Sequence, residues 1–120
     1  MTFDIEVVLK GRDSAVTESV TVPHDARTTW SDATVKDMLV AVLRAIDRAQ
    51  NPAADPDRPV VLRGFSWIVE PSGEDVVLAL EIPMGAAVAG PFKIPQADLD
   101  GLIARVLRAE RPAVSSTTVH

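Results

Sequence analysis

The chain has 120 residues, a net charge of −5, 47% hydrophobic residues and no cysteine. This length and composition predict one soluble domain with a substantial hydrophobic core. The acidic balance argues against binding to a nucleic-acid backbone, which requires a basic face, but it allows a basic protein partner. The lack of cysteine excludes disulfides, thiolate metal sites and cysteine nucleophiles.

Targeting features are missing from the sequence. The first eleven residues, MTFDIEVVLKG, lack the basic segment and apolar core of a signal peptide. No apolar run reaches the ~18 residues that a membrane span needs. We therefore expect a cytoplasmic protein without a membrane partner. The frequent Ala, Val, Arg and Asp residues are typical of a GC-rich bacterial genome, so we expect a bacterial source.

Two strands are predicted at the start of the chain. Residues 2–10 alternate between apolar and polar side chains, as in a half-buried strand. Gly11 begins a turn, and residues 16–22 then alternate again. Glu18 falls among the valines of that second strand, which predicts either a bulge or an edge strand with an inward-facing charge. Together the two strands form an antiparallel hairpin.

A helix is predicted for residues 31–50. Its apolar residues recur with the spacing of one helix face: Val35, Met38, Leu39, Val42, Leu43 and Ile46. Two starts fit the sequence. Ser31 could cap the helix, with Trp30 and Val35 forming a hydrophobic staple, or Thr34 could cap it, with Asp37 completing a capping box. Both starts give the same buried face.

The opening of the chain resembles a known family. A hairpin followed by the segment ATVKDML, residues 33–39, entering a helix is similar to the start of ubiquitin-like β-grasp domains. The resemblance covers roughly the first 45 residues. The chain then departs from the family, because it ends in a helix and a polar tail and has no terminal Gly-Gly for conjugation. The resemblance implies no functional residue.

The second half begins with a proline-rich loop at residues 51–59. Residues 59–70 predict a strand that carries bulky side chains on both faces, which favours a central position in the sheet. A turn at residues 71–74 leads into an alternating strand at residues 75–82, so these two strands form a second hairpin.

The rest of the chain predicts one more strand and one more helix. Residues 83–94 are rich in Gly and Ala and predict an irregular strand with a bend or bulge at Gly90-Pro91. Pro95 suits the first turn of a helix that continues to about residue 109. Residues 112–120 predict a flexible tail. The expected organisation is therefore a single domain over residues 1–111.

The elements follow the order ββ-α-βββ-α, which places the chain in the α+β class. Both helices carry one apolar stripe. The simplest architecture is an antiparallel sheet with the two amphipathic helices packed on one face.

Three polar residues are candidates for ligand binding: His24, Arg63 and Glu81. His24 with Asp25 could act as a base, although an ordinary loop histidine is the simpler interpretation. If the strands of the second hairpin pair, Arg63 and Glu81 come close across the ladder. We favour a cross-strand ion pair over a ligand-reading arginine.

We predict no metal, cofactor or catalytic residue. The carboxylates that flank the second hairpin lack the spacing of a metal loop: Glu70, Glu74, Asp75 and Glu81. Residues 85–90 imitate a phosphate-binding loop, but Pro91 stands where the lysine should be. Small residues there favour close packing instead. His120, at the end of the tail, does not complete a metal site.

These observations favour a non-catalytic protein-binding or accessory module. Because the small-residue strand could pair with another chain at a sheet edge, we consider self-association as a homodimer through that edge, with a different protein as the other possible partner. The interface residues would be Met84, Ala86, Val88 and Phe92. The alternative is a small-ligand-binding protein or small enzyme with a pocket between sheet and helices, lined by the three polar candidates.

Overall fold

The computed structural model describes residues 1–12, 14–24, 29–53, 55 and 59–110. Within these residues, the chain forms five strands and two helices in the predicted order. They are β1 (Thr2–Leu9), β2 (Val16–Thr21), α1 (Asp32–Gln50), β3 (Ser66–Ser72), β4 (Asp75–Ile82), β5 (Gly85–Phe92) and α2 (Gln96–Ala109). The predicted tail, including His120, lies outside the described residues.

The five strands form one antiparallel sheet with the order β2-β1-β5-β4-β3. Both helices pack on the same side of the sheet. The alternate strand residues that point to that side are buried, and those that point away are not. The predicted α+β class is therefore confirmed. Among the described residues, neither helix has the length and apolar character to cross a membrane.

The core lies between this side of the sheet and the helices. It is built almost entirely from aliphatic side chains, as the scarcity of aromatic residues requires. Its largest fully buried members are Phe92, Ile5, Met38, Leu39, Leu78, Leu80, Leu99, Ile103, Val7, Val35 and Val42. The apolar stripes predicted for the two helices thus face the sheet.

A capping hydrogen bond identifies which of the two predicted starts of α1 is correct. The Oγ atom of Ser31 accepts a hydrogen bond from the Thr34 backbone N–H at 3.2 Å, so Ser31 is the N-cap. Two ion pairs join the beginning of α1 to the end of α2, since Asp32 contacts Arg105 and Lys36 contacts Glu110. These contacts hold the first turns of α1 against the C-terminal part of α2.

The first hairpin agrees with its prediction. β2 is an edge strand, and Glu18 lies on its helix side, where it pairs with Arg48 of α1. An inward charge on an edge strand discourages pairing with a further strand. Of the two explanations offered by the sequence, the inward charge on an edge strand is the correct one.

The predicted central position of the strand at residues 59–70 is wrong. Regular pairing begins only at Ser66, and β3 is the edge strand next to β4. The bulky side chains on its two faces have different environments. Val69 is buried under α2, whereas Ile68 projects from the opposite side and is 53% exposed. An apolar but uncovered face produces the same pattern as burial on both sides.

The predicted edge position of β5 is also wrong, because β5 lies in the middle of the sheet between β1 and β4. Its small residues serve close packing between strands. A Cβ atom on Gly85 would lie 2.2 Å from the Val8 carbonyl oxygen. The predicted bulge is confirmed, since Val76 pairs with Phe92 and Leu78 with Ala89, which leaves one extra residue in β5.

Candidate functional site: the uncovered face of the sheet

One side of the sheet carries no helix among the described residues, and we call it the outer face. A row of apolar side chains crosses it, because Ile68 of β3 lies opposite Ala79 of β4, which lies opposite Val88 of β5. Ile68 and Val88 are 53% and 42% exposed. Adjacent strands are about 4.8 Å apart, so the row extends for about 10 Å.

A second row lies beside the first. Val8 of β1 is opposite Ala86 of β5, Ala86 is opposite Glu81 of β4, and Glu81 is opposite Ser66 of β3. Val8 is 48% exposed. An alanine lies in the middle of each row, with a larger side chain on either side of it. The surface is therefore lower at Ala79 and Ala86 than at their neighbours. The apolar part of the outer face is thus made of Val8, Ile68, Val77, Ala79, Ala86 and Val88.

The second row opens into a cleft at the end of the sheet, which we call the end cleft. Its volume is about 750 Å³. Its lining comes from the end of β1, the segment before β3 and the β4–β5 hairpin: Val8, Leu9, Lys10, Gly64, Phe65, Ser66, Glu81, Ile82, Pro83, Gly85 and Ala86. The outer face therefore ends in a depression that contains one carboxylate and one lysine.

Acidic residues surround the apolar rows. The exposed carboxylates that alternate onto the outer face are Asp4, Glu6, Glu70 and Glu81. Asp75 adds one at the start of β4, where Lys93 approaches it at 3.7 Å. No described strand contributes a lysine or arginine to this face. The outer face is an apolar surface with a negative rim.

Three of the predicted site residues come together here. Glu81 and Ala86 are directly opposite each other, and Val88 lies two residues further along β5. Met84 is 55% exposed in the β4–β5 turn beside the end cleft. Glu81, Ala86 and Val88 were selected for two different functions, yet these three residues belong to one surface.

Phe92 does not belong to this surface, contrary to the prediction. It is only 1% exposed and lies in the core. By simple alternation it would share a face with Ala86 and Val88. The bulge at Gly90-Pro91 adds one residue, which turns Phe92 to the helix side. There its ring centroid lies 4.9 Å from that of Phe3 and 5.6 Å from that of Trp30.

The predicted ion pair between Arg63 and Glu81 does not form within the described residues. Arg63 precedes β3 in an unpaired segment, and Ser66 takes the position opposite Glu81. Both charged side chains are exposed. The prediction failed because regular pairing of β3 begins three residues after Arg63.

His24 lies at the other end of the sheet from Glu81. Its backbone oxygen accepts a hydrogen bond from the N-terminal amine of Met1, next to the start of β1. Its ring lies 5.3 Å from the Trp30 ring, and its Nδ1 atom is 3.3 Å from the Thr34 Oγ1 atom. The three polar candidates His24, Arg63 and Glu81 therefore do not converge on one pocket.

The sequence prediction missed Val8 and Ile68 as surface residues. Each carries a sequence signal, because each occupies a position that alternation assigns to solvent. Val8 follows the buried Val7, and Ile68 precedes the buried Val69. Bulky apolar residues at such positions on neighbouring strands form a contiguous exposed patch, which is rarer than single exposed residues.

The outer face combines exposed aliphatic side chains with carboxylates. Over the part of the chain that the structure describes, no three His, Asp or Glu residues are grouped to hold a metal ion. Comparisons with protein families, curated proteins and solved structures gave no match. The similarity of the opening to β-grasp domains thus remains one of sequence pattern.

Proposed function

We propose that this protein is a non-catalytic protein-binding module, and that its outer face binds a partner whose contact surface is apolar in the centre and basic at the rim. The observation that carries the proposal is the pairing of exposed aliphatic rows with carboxylates on the same strands, beside which Lys10 of the end cleft is a cation. The end cleft would receive a projecting side chain of the partner.

The apolar rows give a reason for the contact. Val8, Ile68 and Val88 are each between 42% and 53% exposed, and they are linked by half-buried alanines. Contiguous apolar patches of this kind, bounded by polar residues, are typical of protein interaction sites. Their burial contributes a favourable gross free energy of roughly 25 cal/mol for each Å² removed from water, and part of it offsets the entropy lost on association.

The charges specify the partner. Glu6 is opposite Val88, and Glu70 is opposite Val77, so carboxylates border the apolar rows from both sides. A basic rim on the partner would accelerate association and exclude acidic proteins. A second copy of this chain would bring the same carboxylates face to face, and this repulsion argues against a homodimer through the outer face.

The alternative of a small-ligand pocket between sheet and helices depended on His24, Arg63 and Glu81 acting together. Their separation removes that support.

Self-association through a sheet edge would have to use β2 or β3. The inward Glu18 of β2 disfavours the first of these edges.

A matched pair of valine substitutions tests the proposal. Val88→Glu places a charge in the centre of the outer face, whereas Val61→Glu changes another exposed valine, which lies beside α1. The full chain and both variants would be used to capture partners from the native host, followed by quantitative mass spectrometry. Thermal melting would verify that both variants fold.

We expect a basic protein that the unsubstituted chain and Val61→Glu retain equally and that Val88→Glu loses at least tenfold. Raising the salt concentration should weaken the capture, because charge contributes to it. Equal retention by both variants would contradict the proposal. Light scattering provides a second criterion, since a dimer abolished by Val88→Glu would identify a second copy as the occupant of the outer face.

A further inference from the structure

A separate cleft runs along the surface of α2, on the helix side of the sheet, and we call it the α2 cleft. Its volume is about 560 Å³. Its lining comes from the segment before α1, the β5–α2 connection and one stripe of α2: Thr29, Trp30, Lys93, Ile94, Pro95, Ala97, Asp98, Gly101, Leu102, Arg105 and Arg108. This volume is within the ~300–1,000 Å³ range of small-molecule sites.

The middle of the α2 cleft is apolar. Trp30, Ile94 and Leu102 are half-buried and pack against the core. Trp30 is held in place by an edge-on contact with the Phe92 ring. Gly101 also lines the cleft and borders open space, because a Cβ atom at that position would meet no atom within 4 Å. A larger side chain at this position would therefore extend into the cleft.

The charges of the α2 cleft are distributed along its length. Asp98 lies near the start of the α2 stripe, and Arg105 and Arg108 lie near its end. Ten residues of helix rise about 15 Å, so the apolar middle separates Arg108 from Asp98, while Lys93 lines the cleft from the connection before α2.

The cations differ in how firmly they are already paired. Arg105 donates hydrogen bonds from Nε to both Asp32 oxygens at 2.9 and 3.1 Å. This hydrogen bonding, together with the charge of Asp32, raises the pKa of Arg105. Lys93 contacts Asp75 only at 3.7 Å. Arg108 has no ion pair within the described part of the chain, so its guanidinium is available to an anion.

We propose that the α2 cleft binds a small amphipathic carboxylate, with its apolar body on Trp30 and Leu102 and its carboxylate on Arg108. A guanidinium binds a carboxylate through two parallel hydrogen bonds, which fixes the orientation of the ligand. This site lies on the other side of the sheet from the outer face, so it is independent of the proposed protein partner.

The test uses 4-phenylbutyrate as the probe and the neutral 4-phenylbutanamide as its matched control. Both would be titrated into the isotopically labelled full chain, and amide and indole shifts would be followed by NMR. We expect saturable shifts at Trp30, Gly101 and Leu102 with the carboxylate. The amide should bind at least fivefold more weakly, because it lacks the charge that Arg108 recognises.

Three variants test separately the charge of Arg108 and the open space at Gly101. Arg108→Gln should weaken phenylbutyrate binding at least fivefold, while Arg63→Gln, which removes an exposed arginine elsewhere, should leave it unchanged. Gly101→Phe should abolish the saturable shifts by filling the cleft. If that variant does not fold, Arg108→Gln still decides the question, since it alters only an exposed side chain.

Several results would overturn the inference. These are the absence of saturable shifts at Trp30, Gly101 and Leu102, equal affinity for the amide, or unchanged affinity in Arg108→Gln. Saturable shifts confined to Val8, Ile68 and Val88 would place the probe on the outer face and would also contradict it. Val88→Glu should retain phenylbutyrate binding even though it loses the protein partner, so the two proposals can fail separately.

Discussion

Replacing Phe92 by alanine distinguishes its two possible roles. As an interface residue, which the sequence predicted, it could be truncated with little effect on folding. In the structure it is 1% exposed and contacts the rings of Phe3 and Trp30. We therefore expect the main effect of Phe92→Ala to be a loss of stability.

The size of that loss follows from the burial and the ring contacts. Truncating a buried phenylalanine to alanine costs about 3–5 kcal/mol, a large share of the ~5–15 kcal/mol that holds a typical domain folded. Phe92→Leu keeps most of the apolar volume but loses both aromatic contacts. At ~0.5–1.5 kcal/mol for each contact, it should cost about 1–3 kcal/mol.

Urea denaturation followed by far-ultraviolet circular dichroism measures these losses as changes in the free energy of unfolding. Val88→Ala is the matched control on the same strand. Because Val88 is 42% exposed, its truncation should change the free energy by no more than about 0.5 kcal/mol. A Phe92→Ala variant as stable as this control would refute the assignment of Phe92 to the core.

Further predictions concern the backbone and the helix ends. Gly101→Ala should raise the free energy of unfolding by about 1 kcal/mol in thermal or urea melts, because Gly101 is an exposed helix residue with open space around it. Gly85→Ala should lower it by about 1–3 kcal/mol, since the new methyl group would overlap the Val8 carbonyl oxygen. Ser31→Ala should lower it by about 1 kcal/mol through loss of the N-cap hydrogen bond to Thr34, and Ser31→Thr, which keeps the hydroxyl, should lose less. A stabilising Gly85→Ala or a neutral Ser31→Ala would contradict these assignments.

Local pattern was sufficient to predict most elements of this fold. The alternation in residues 2–10 and 75–82 and the helical stripes at Val35 and Leu99 report burial on one side, which is a local property of a strand or helix. The inward Glu18 was one of two predicted alternatives, because a charge among the valines of a strand fits either a bulge or an edge strand.

Strand order was not predictable in the same way. The pairing of β1 with β5 joins segments about eighty residues apart, and nothing near either strand encodes it. Without that pairing, the small residues of β5 suggested an edge, although Gly85 in fact permits the approach of Val8. The bulge had a local signal in Gly90-Pro91, but its effect on Phe92 needed the register.

Only part of the candidate site was predicted, because the site also depends on how distant strands pair. Glu81, Ala86 and Val88 were identified from their own strands, but their common surface depends on how β4 and β5 pair. Ile68 was assigned to a doubly buried strand, because an apolar face that no element covers has the same sequence pattern as one that is covered. Only the position of β3 at the sheet edge separates these interpretations.

The affinity of the captured partner for a charge-reversed outer face tests the central claim most directly. Glu6→Lys combined with Glu81→Lys reverses two carboxylates beside the apolar rows, and Asp100→Lys, on the exposed side of α2, is the control. By isothermal titration calorimetry, we expect the double variant to bind at least tenfold more weakly and Asp100→Lys to bind like the unsubstituted chain. Equal affinities for all three proteins would contradict recognition of a basic partner by the outer face.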